Sequence, residues 1–292
     1  MPADQYMSQP LQMCVLRPED LPFADSLRAQ VGWNQTLDDW RRFLALEPDG
    51  CFLAEWNGTP AGTATTLVYG PELAWIGMVL VLPEYRRRGI GGALLGHCIT
   101  WLRQRGVRCL KLDATPLGQP VYDGLGFKSE WTLTRWEHGG LHENPATDAR
   151  LRGWRTSDAP LVASLDVAAF GIARERLVAA LVQQSYCARV CESGPGHLAA
   201  YGLIRPGARA LYLGPIVAAS AGEGLLLVQR LLANSAGQKV FWDIPDPNTA
   251  AVAWARQHGF VPQRTLTRMY LGENTTPGNP QQQFALAGPE VG

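Results

Sequence analysis

Residues 86 to 92 read Arg-Arg-Arg-Gly-Ile-Gly-Gly, at the point where a run of strand formers, "VLVLPEY", gives way to an amphipathic helix, "ALLGHCITWL". A glycine-rich turn entering a helix leaves the first backbone N–H groups without internal partners, and the helix dipole adds partial positive charge there. Glycine removes the side chains that would hold an anion at a distance, and guanidinium groups suit phosphate oxygens. The chemistry this junction fits is the binding of a di- or polyphosphate group. It is not a Walker A sequence, which needs GxxxxGK, and the dinucleotide fingerprint needs a glycine where Leu94 stands.

Such a turn needs a strand before it and a helix after it, and the surrounding pattern supplies both. "QMCVLRP" predicts a strand and Asp20 to Val31 a helix. "DDWRRFLALEP" predicts a second helix with Trp40, Phe43, Leu44 and Leu46 on its apolar stripe. "CFLAEW", a turn at Asn57-Gly58, "AGTATTLVYG" and "LAWIGMVLVL" predict an antiparallel meander. The helix after the turn spans Arg88 to Arg105 and stops at Gly106. A strand "VRCLKLDA", a helix through Tyr122 and a strand "FKSEWTLTRWE" follow.

The same order of elements is then written a second time. "DATPLGQPVYDGLGF" with "KSEWTLTRWE" is answered by "DIPDPNTAAVAWARQHGF" with "VPQRTLTRMY". Gly126-Phe127 corresponds to Gly259-Phe260 and Arg135 to Arg268 at one constant offset, and "WIGMVLV" corresponds to "LYLGPIV". The second copy departs at the turn: "YRRRGIGG" becomes "AASAGEGLL", with no arginine and with Glu223 nearby. A carboxylate there repels phosphate, so the second copy is not expected to hold the same ligand. The expected division is a first domain over 1–137, a linker over 138–150, a second domain over 151–272 and a flexible tail over 273–292.

Composition narrows the partners. The 292 residues are 46% hydrophobic and 18% charged, with 26 basic and 26 acidic side chains, so no global field draws nucleic acid or an anionic membrane. The arginine run lacks interleaved aromatics, no apolar run has transmembrane length, and the N-terminus lacks a basic leader region. Cys14, Cys51, Cys98, Cys109, Cys187 and Cys191 show no CxxC and read as reduced, mostly buried thiols of a cytoplasmic protein. Cys187 and Cys191 are four apart, a spacing that makes neighbours on a helix. His138, His142 and Glu143 mimic metal-ligand spacing but sit in the polar linker, so no metal is expected.

The pattern Arg-x-x-Gly-x-Gly after a strand ending in Pro-Glu-Tyr resembles the acyl-coenzyme-A signature of the GNAT superfamily of N-acetyltransferases. "VYDGLGF" resembles that superfamily's Tyr-x-x-x-Gly-Phe element. "GWNQTLDDW", "AWIGMVLV", "LDATPLGQPVY", "AAFGIARERL", "YLGPIVA" and "TLTRMY" are similar to stretches of the tandem-GNAT proteins of YitH type. The resemblance implies a mixed α/β (α+β) fold of two tandem GNAT-like domains, each a mostly antiparallel central sheet flanked by helices. It implies that the backbone of Val79, Leu80 and Val81 pairs with the pantetheine arm of acetyl-CoA. The segment Arg86, Arg87, Arg88, Gly89, Ile90, Gly91 and Gly92 would take the pyrophosphate, and Tyr122 would be the general acid that protonates the departing sulfur.

Acetyl transfer to an amine also needs a proton acceptor. Glu72 and Asp113 are the candidates, acting directly or through water, and each also has a structural reading, as a solvated loop acid and as a turn cap. Trp33, Asn34, Trp40 and Trp75 are candidates for the acceptor pocket, since small-molecule sites favour aromatic walls with few polar groups. The expected function is transfer of an acetyl group to a primary amine of a small molecule by direct attack in a ternary complex. The protein is expected to be a monomer or homodimer with no nucleic-acid or membrane partner. The alternative is a non-catalytic acyl-CoA-binding sensor or regulatory module.

Overall fold

The computed structural model describes residues 10–140, 148–235 and 237–292. The first copy contributes β1 (Leu11–Val15), α1 (Leu21–Gln30), α2 (Leu37–Leu46), β2 (Cys51–Trp56), β3 (Thr59–Val68), β4 (Leu73–Val81), α3 (Ile90–Gln104), β5 (Cys109–Ala114), α4 (Gln119–Gly124) and β6 (Lys128–His138). The second contributes β7 (Leu151–Gly153), α5 (Ala159–Phe170), α6 (Glu175–Gln183), β8 (Cys187–Gly194), β9 (His197–Arg205), β10 (Leu211–Ala218), α7 (Ala221–Leu232), β11 (Val240–Pro245), α8 (Thr249–Gln257), β12 (Val261–Gly272) and β13 (Gln283–Ala285).

Local chemistry sets the boundaries. α2 starts at a Thr36 cap whose backbone N–H donates to Asp39 at 2.6 Å, a reciprocal box that satisfies helix-end donors. The β2–β3 hairpin turns on Asn57 and Gly58, both left-handed, with φ of 51° and 75°. The predicted meander and flanking helices are present, and the fold is the mixed α/β arrangement with a mostly antiparallel sheet.

The two copies share one sheet, in the order β1-β2-β3-β4-β5-β12-β6-β11-β10-β9-β8-β7. Their last long strands are exchanged: β12 of the second copy lies beside β5 of the first, and β6 of the first lies beside β11 of the second. The two Thr-Leu-Thr stretches meet antiparallel, Leu133 opposite Leu266, flanked by Thr132–Thr267 and Thr134–Thr265. The sequence repeat therefore becomes a local pseudo-twofold at the centre of the sheet. One apolar cluster draws on both copies, with Trp40, Phe43 and Trp75 packed with Phe170, Leu177, Leu203 and Val291.

The expected flexible tail is a correction. Phe284, Ala285, Leu286, Ala287 and Val291 are each at most 1% exposed, and β13 pairs with β10. The stretch "FALAGPEV" lacks periodicity because it threads a cleft instead of lying on a surface. Each large apolar side chain buried this way contributes about 1.5–3 kcal/mol. Cys187 and Cys191 lie on strand β8, not on a helix. Every cysteine is free, four of them buried. His138 closes β6, whereas His142 and Glu143 lie outside the described residues.

Candidate active site

The site begins where two parallel strands separate. β4 and β5 pair from Leu73–Cys109 to Trp75–Lys111 and no further. On the other side, β4 follows β3 through a bulge at Met78, which has a φ of 50° and whose carbonyl accepts from Thr63 Oγ1 at 3.0 Å. The bulge bends the strand away from β5. Among the described residues, the backbone edge of Val79, Leu80 and Val81 that faces β5 has no neighbouring strand, which leaves hydrogen-bonding groups for an extended ligand.

The turn before α3 is built for a close backbone approach. Gly89 has a φ of 79°, a conformation that glycine adopts without strain, and Arg87 beside it is left-handed too. At Gly92 an added Cβ would meet nothing within 4 Å, and at Gly91 only the Val81 side chain at 3.7 Å. The fold itself does not demand glycine at these two positions, and their lack of side chains leaves the helix end open to a ligand. Arg86 donates to the Val81 carbonyl at 3.1 Å, and Arg86 and Arg87 both line the groove. Arg88 corrects the expectation. Its guanidinium folds over Trp56 and Tyr85, at 5.4 and 5.5 Å from the ring centres, and does not line the groove.

Between β4, the turn and α4 lies an open groove of about 600 Å³. Leu117, 81% exposed, and Val121, 44% exposed, leave apolar surface open along it among the described residues. Tyr122 stands at its inner end against Phe127. Burial, with a lesser contribution from nearby Cys98, pushes the Tyr122 phenol up to about 12, so it carries its proton at neutral pH. These features fit acetyl-CoA: a positive turn for the diphosphate, an unpaired strand edge for the pantetheine amides and a phenol at the thioester end.

Tyr122, Trp33, Val79 and Thr115 also border a second, smaller cavity of about 60 Å³ and so form a wall shared with the groove. Of the four residues expected at an acceptor pocket, only Trp33 lines it. Trp40 and Trp75 are fully buried core, and the Trp75 indole N–H donates to the Pro289 carbonyl at 3.0 Å. Asn34 clamps the second copy, donating to the Ala210 carbonyl at 3.0 Å and accepting from the Arg209 and Ala210 amides.

Neither expected base is free. Glu72 pairs with Arg108 at 3.0 Å at the far end of β4, roughly 23 Å of strand from Val79 at ~3.3 Å per residue. Asp113 borders the small cavity, but both its oxygens accept from Arg268 at 2.9 Å. Three other polar side chains line the cavity: Gln35, Arg264 on β12 and Glu290. Glu290 accepts from Gln35 Nε2 at 2.7 Å, and burial raises its carboxyl above the ordinary range. Sequence reasoning placed Glu290 in a loose tail and Arg264 in the other domain. The apolar "FALAG" just before Glu290 was the signal available for burial.

The equivalent cleft of the second copy is filled by the chain itself. β10 and β11 pair from Leu211–Val240 to Leu213–Trp242 and then separate, as β4 and β5 do. Into that opening runs β13, with Ala285 opposite Ile216 and the Leu286 N–H donating to the Asp243 carbonyl at 3.0 Å. The Phe284 ring lies 2.5 Å from where a Cβ on Gly224 would stand. Glu223 is bound by Ser220 and lies 3.6 Å from Arg150. Among the described residues no group of three or more His, Cys, Asp or Glu is placed to hold a metal ion.

Comparison with known proteins supports the fold and gives the family. A profile described as "Acetyltransferase (GNAT) family" matches residues 20–127, and one described as "Acetyltransferase (GNAT) domain" matches residues 162–285. The chain is 31% identical over 227 residues to the uncharacterized N-acetyltransferase YitH of Bacillus subtilis, covering 77% of this chain and 78% of that one. It is 37% identical over 97 residues to the ribosomal protein bS18-alanine N-acetyltransferase of Escherichia coli, covering 32% and 60%. Among solved structures, a putative acetyltransferase from Pyrococcus horikoshii superposes with a TM-score of 0.83 at 22% identity, over 100% and 99% of the chains. A tandem GNAT protein from the clavulanic acid biosynthesis pathway gives 0.67 at 18% identity, over 90% and 98%. With two such domains in tandem on one shared sheet, the chain belongs to the GNAT family of N-acetyltransferases.

Proposed function

We propose that the first copy catalyses acetyl transfer from acetyl-CoA to a primary amine of a small molecule by direct attack in a ternary complex. The observation that carries this reading is that the open groove and the small cavity share a wall of Trp33, Val79, Thr115 and Tyr122. Acetyl-CoA would supply the activated acetyl thioester. The amides of residues 87–92, with Arg86 and Arg87, bind the diphosphate, and the Val79–Val81 edge aligns the arm and offers an N–H to the carbonyl oxygen. Tyr122 holds a proton for the departing sulfur. The small cavity, enclosed by parts of both copies and by the 283–292 segment, favours a small acceptor over a long polypeptide.

The test is free-thiol release from acetyl-CoA with a panel of amines, for wild type and Tyr122→Phe. Loss of a general acid lowers kcat by ~10²- to 10⁴-fold, while acetyl-CoA affinity stays. Tight acetyl-CoA binding with no turnover on any amine would instead support a non-catalytic acyl-CoA-binding module.

A further inference from the structure

The charges around the small cavity do not cancel. Arg135 is held by Asp243, Arg268 by Asp113, and Arg42 by Asp39 at 2.6 Å. Arg205 lies 3.9 Å from Asp39 and donates to the Gly214 and Ala287 carbonyls. Two charged side chains that line the cavity are left over among the described residues. Arg264 has no ion-pair partner, and its buried Nε has no acceptor. Glu290 has one side-chain partner, the Gln35 amide, and the Oε1 of that same Gln35 is buried without a donor. Arg264, Gln35 and Glu290 thus line one space with their hydrogen-bonding capacity incompletely used, and a buried charge without a partner is costly. Burial moves both groups accordingly, Glu290 up and Arg264 down to about 10.

We infer that the acceptor is a small amine bearing a carboxylate, an amino-acid-like zwitterion, with Arg264 binding its carboxylate and Glu290 with Gln35 Oε1 receiving its ammonium. This inference rests on the acetyl-transfer reading above. The cavity of about 60 Å³ holds roughly four to six waters at ~10–15 Å³ each, the scale of an amino acid. Glu290 takes one ammonium proton and passes it to water. The freed nitrogen forms its bond to the thioester carbonyl carbon, and the carbon–sulfur bond breaks. Tyr122 gives its phenolic proton to the sulfur, and the second proton lost by the nitrogen returns through water to the Tyr122 oxygen. One ammonium becomes an amide, one thiol forms and one proton is released.

The experiment compares common amino acids with their carboxamides and decarboxylated amines, reading thiol release from acetyl-CoA. The carboxylate is expected to raise kcat/KM by ~10- to 100-fold, Arg264→Gln to erase that preference through KM, and Glu290→Gln to lower kcat on every amine. Acetyl-CoA affinity reports that the variants are folded. Carboxamides that serve as well as the acids, or a preference that survives Arg264→Gln, would overturn the inference. If no amine is turned over, the catalytic reading fails by itself, and calorimetry with the amino acids and their N-acetyl derivatives decides the cavity. Binding lost in Arg264→Gln keeps the carboxylate site, and absence of binding to wild type overturns it.

Discussion

Arg268, on the last long strand, donates two hydrogen bonds of 2.9 Å to Asp113, the next-to-last residue of β5 in the other copy. Arg135 and Asp243 repeat the arrangement in reverse, at 2.7 and 2.6 Å. Each copy thus lends its arginine to the other copy's aspartate, and the pair of bridges is the chemical counterpart of the strand exchange. The same bridge takes Asp113 out of the catalytic inventory.

Arg268→Ala leaves the Asp113 carboxylate buried and alone, and also removes the guanidinium that stacks between Trp75 and Trp131, 4.5 and 4.2 Å from their ring centres. The expected loss is about 3–5 kcal/mol in urea unfolding. A loss under about 1 kcal/mol would mean that the bridge does not bind the copies together.

The stabilisation held in two buried carboxylates, Asp243 and Asp39, should be lost in acid. Burial pushes Asp243 up, but Arg135 outweighs it and the carboxyl lies below its ordinary value. Asp39 behaves likewise: burial is outweighed by Arg42, Arg205 and the Thr36 amide. Both folded values fall below the unfolded value of ~3.9, so the stabilisation is complete above it and disappears as pH falls through the folded values. The gap in urea midpoint between wild type and Asp243→Asn, taken from neutral pH down to about pH 3, should therefore narrow at the acid end. A gap that stays constant with pH would contradict the assignment.

The filled second cleft predicts a stoichiometry. Calorimetry should give one acetyl-CoA per chain. Phe284→Ala, which opens a cavity beside Gly224, should cost about 3–5 kcal/mol of stability without changing acetyl-CoA affinity. Two sites per chain, or weaker acetyl-CoA binding in a folded Phe284→Ala protein, would show that the second cleft takes part.

Tyr122 sets a pH expectation of its own. With its phenol pushed up to about 12 by burial, it stays protonated through the alkaline range in which most enzymes are assayed. The kcat profile should show no falling limb from this group below about pH 10. A limb near neutrality that vanishes in Tyr122→Phe would contradict the buried-phenol account.

Local pattern made much of this legible. The Arg-x-x-Gly-x-Gly turn, the meander and the helix of Tyr122 follow from periodicity, glycine placement and motif, all short-range signals. The repeat of Thr-Leu-Thr-Arg was visible as well, but not that the two strands change places, because both carry the same Thr-Leu-Thr-Arg stretch and local pattern does not say which one lies beside β5. Arg264 and Glu290 were out of reach for the same reason. They come to the cavity through strand exchange and through a segment whose burial follows from a cleft that only the folded second copy creates. Trp40 and Trp75 misled because a tryptophan in sequence does not say whether it faces a pocket or the core.

The central claim is that the glycine turn of the first copy holds acetyl-CoA. Isothermal titration of acetyl-CoA into wild type and Gly91→Glu tests it most directly, because a Cβ added at Gly91 meets only the Val81 side chain, at 3.7 Å, and the variant is expected to fold. The account predicts saturable one-site binding to wild type and at least ~100-fold weaker binding to the folded variant, as a carboxylate and its bulk displace the diphosphate. Equal affinity in the two proteins would contradict it.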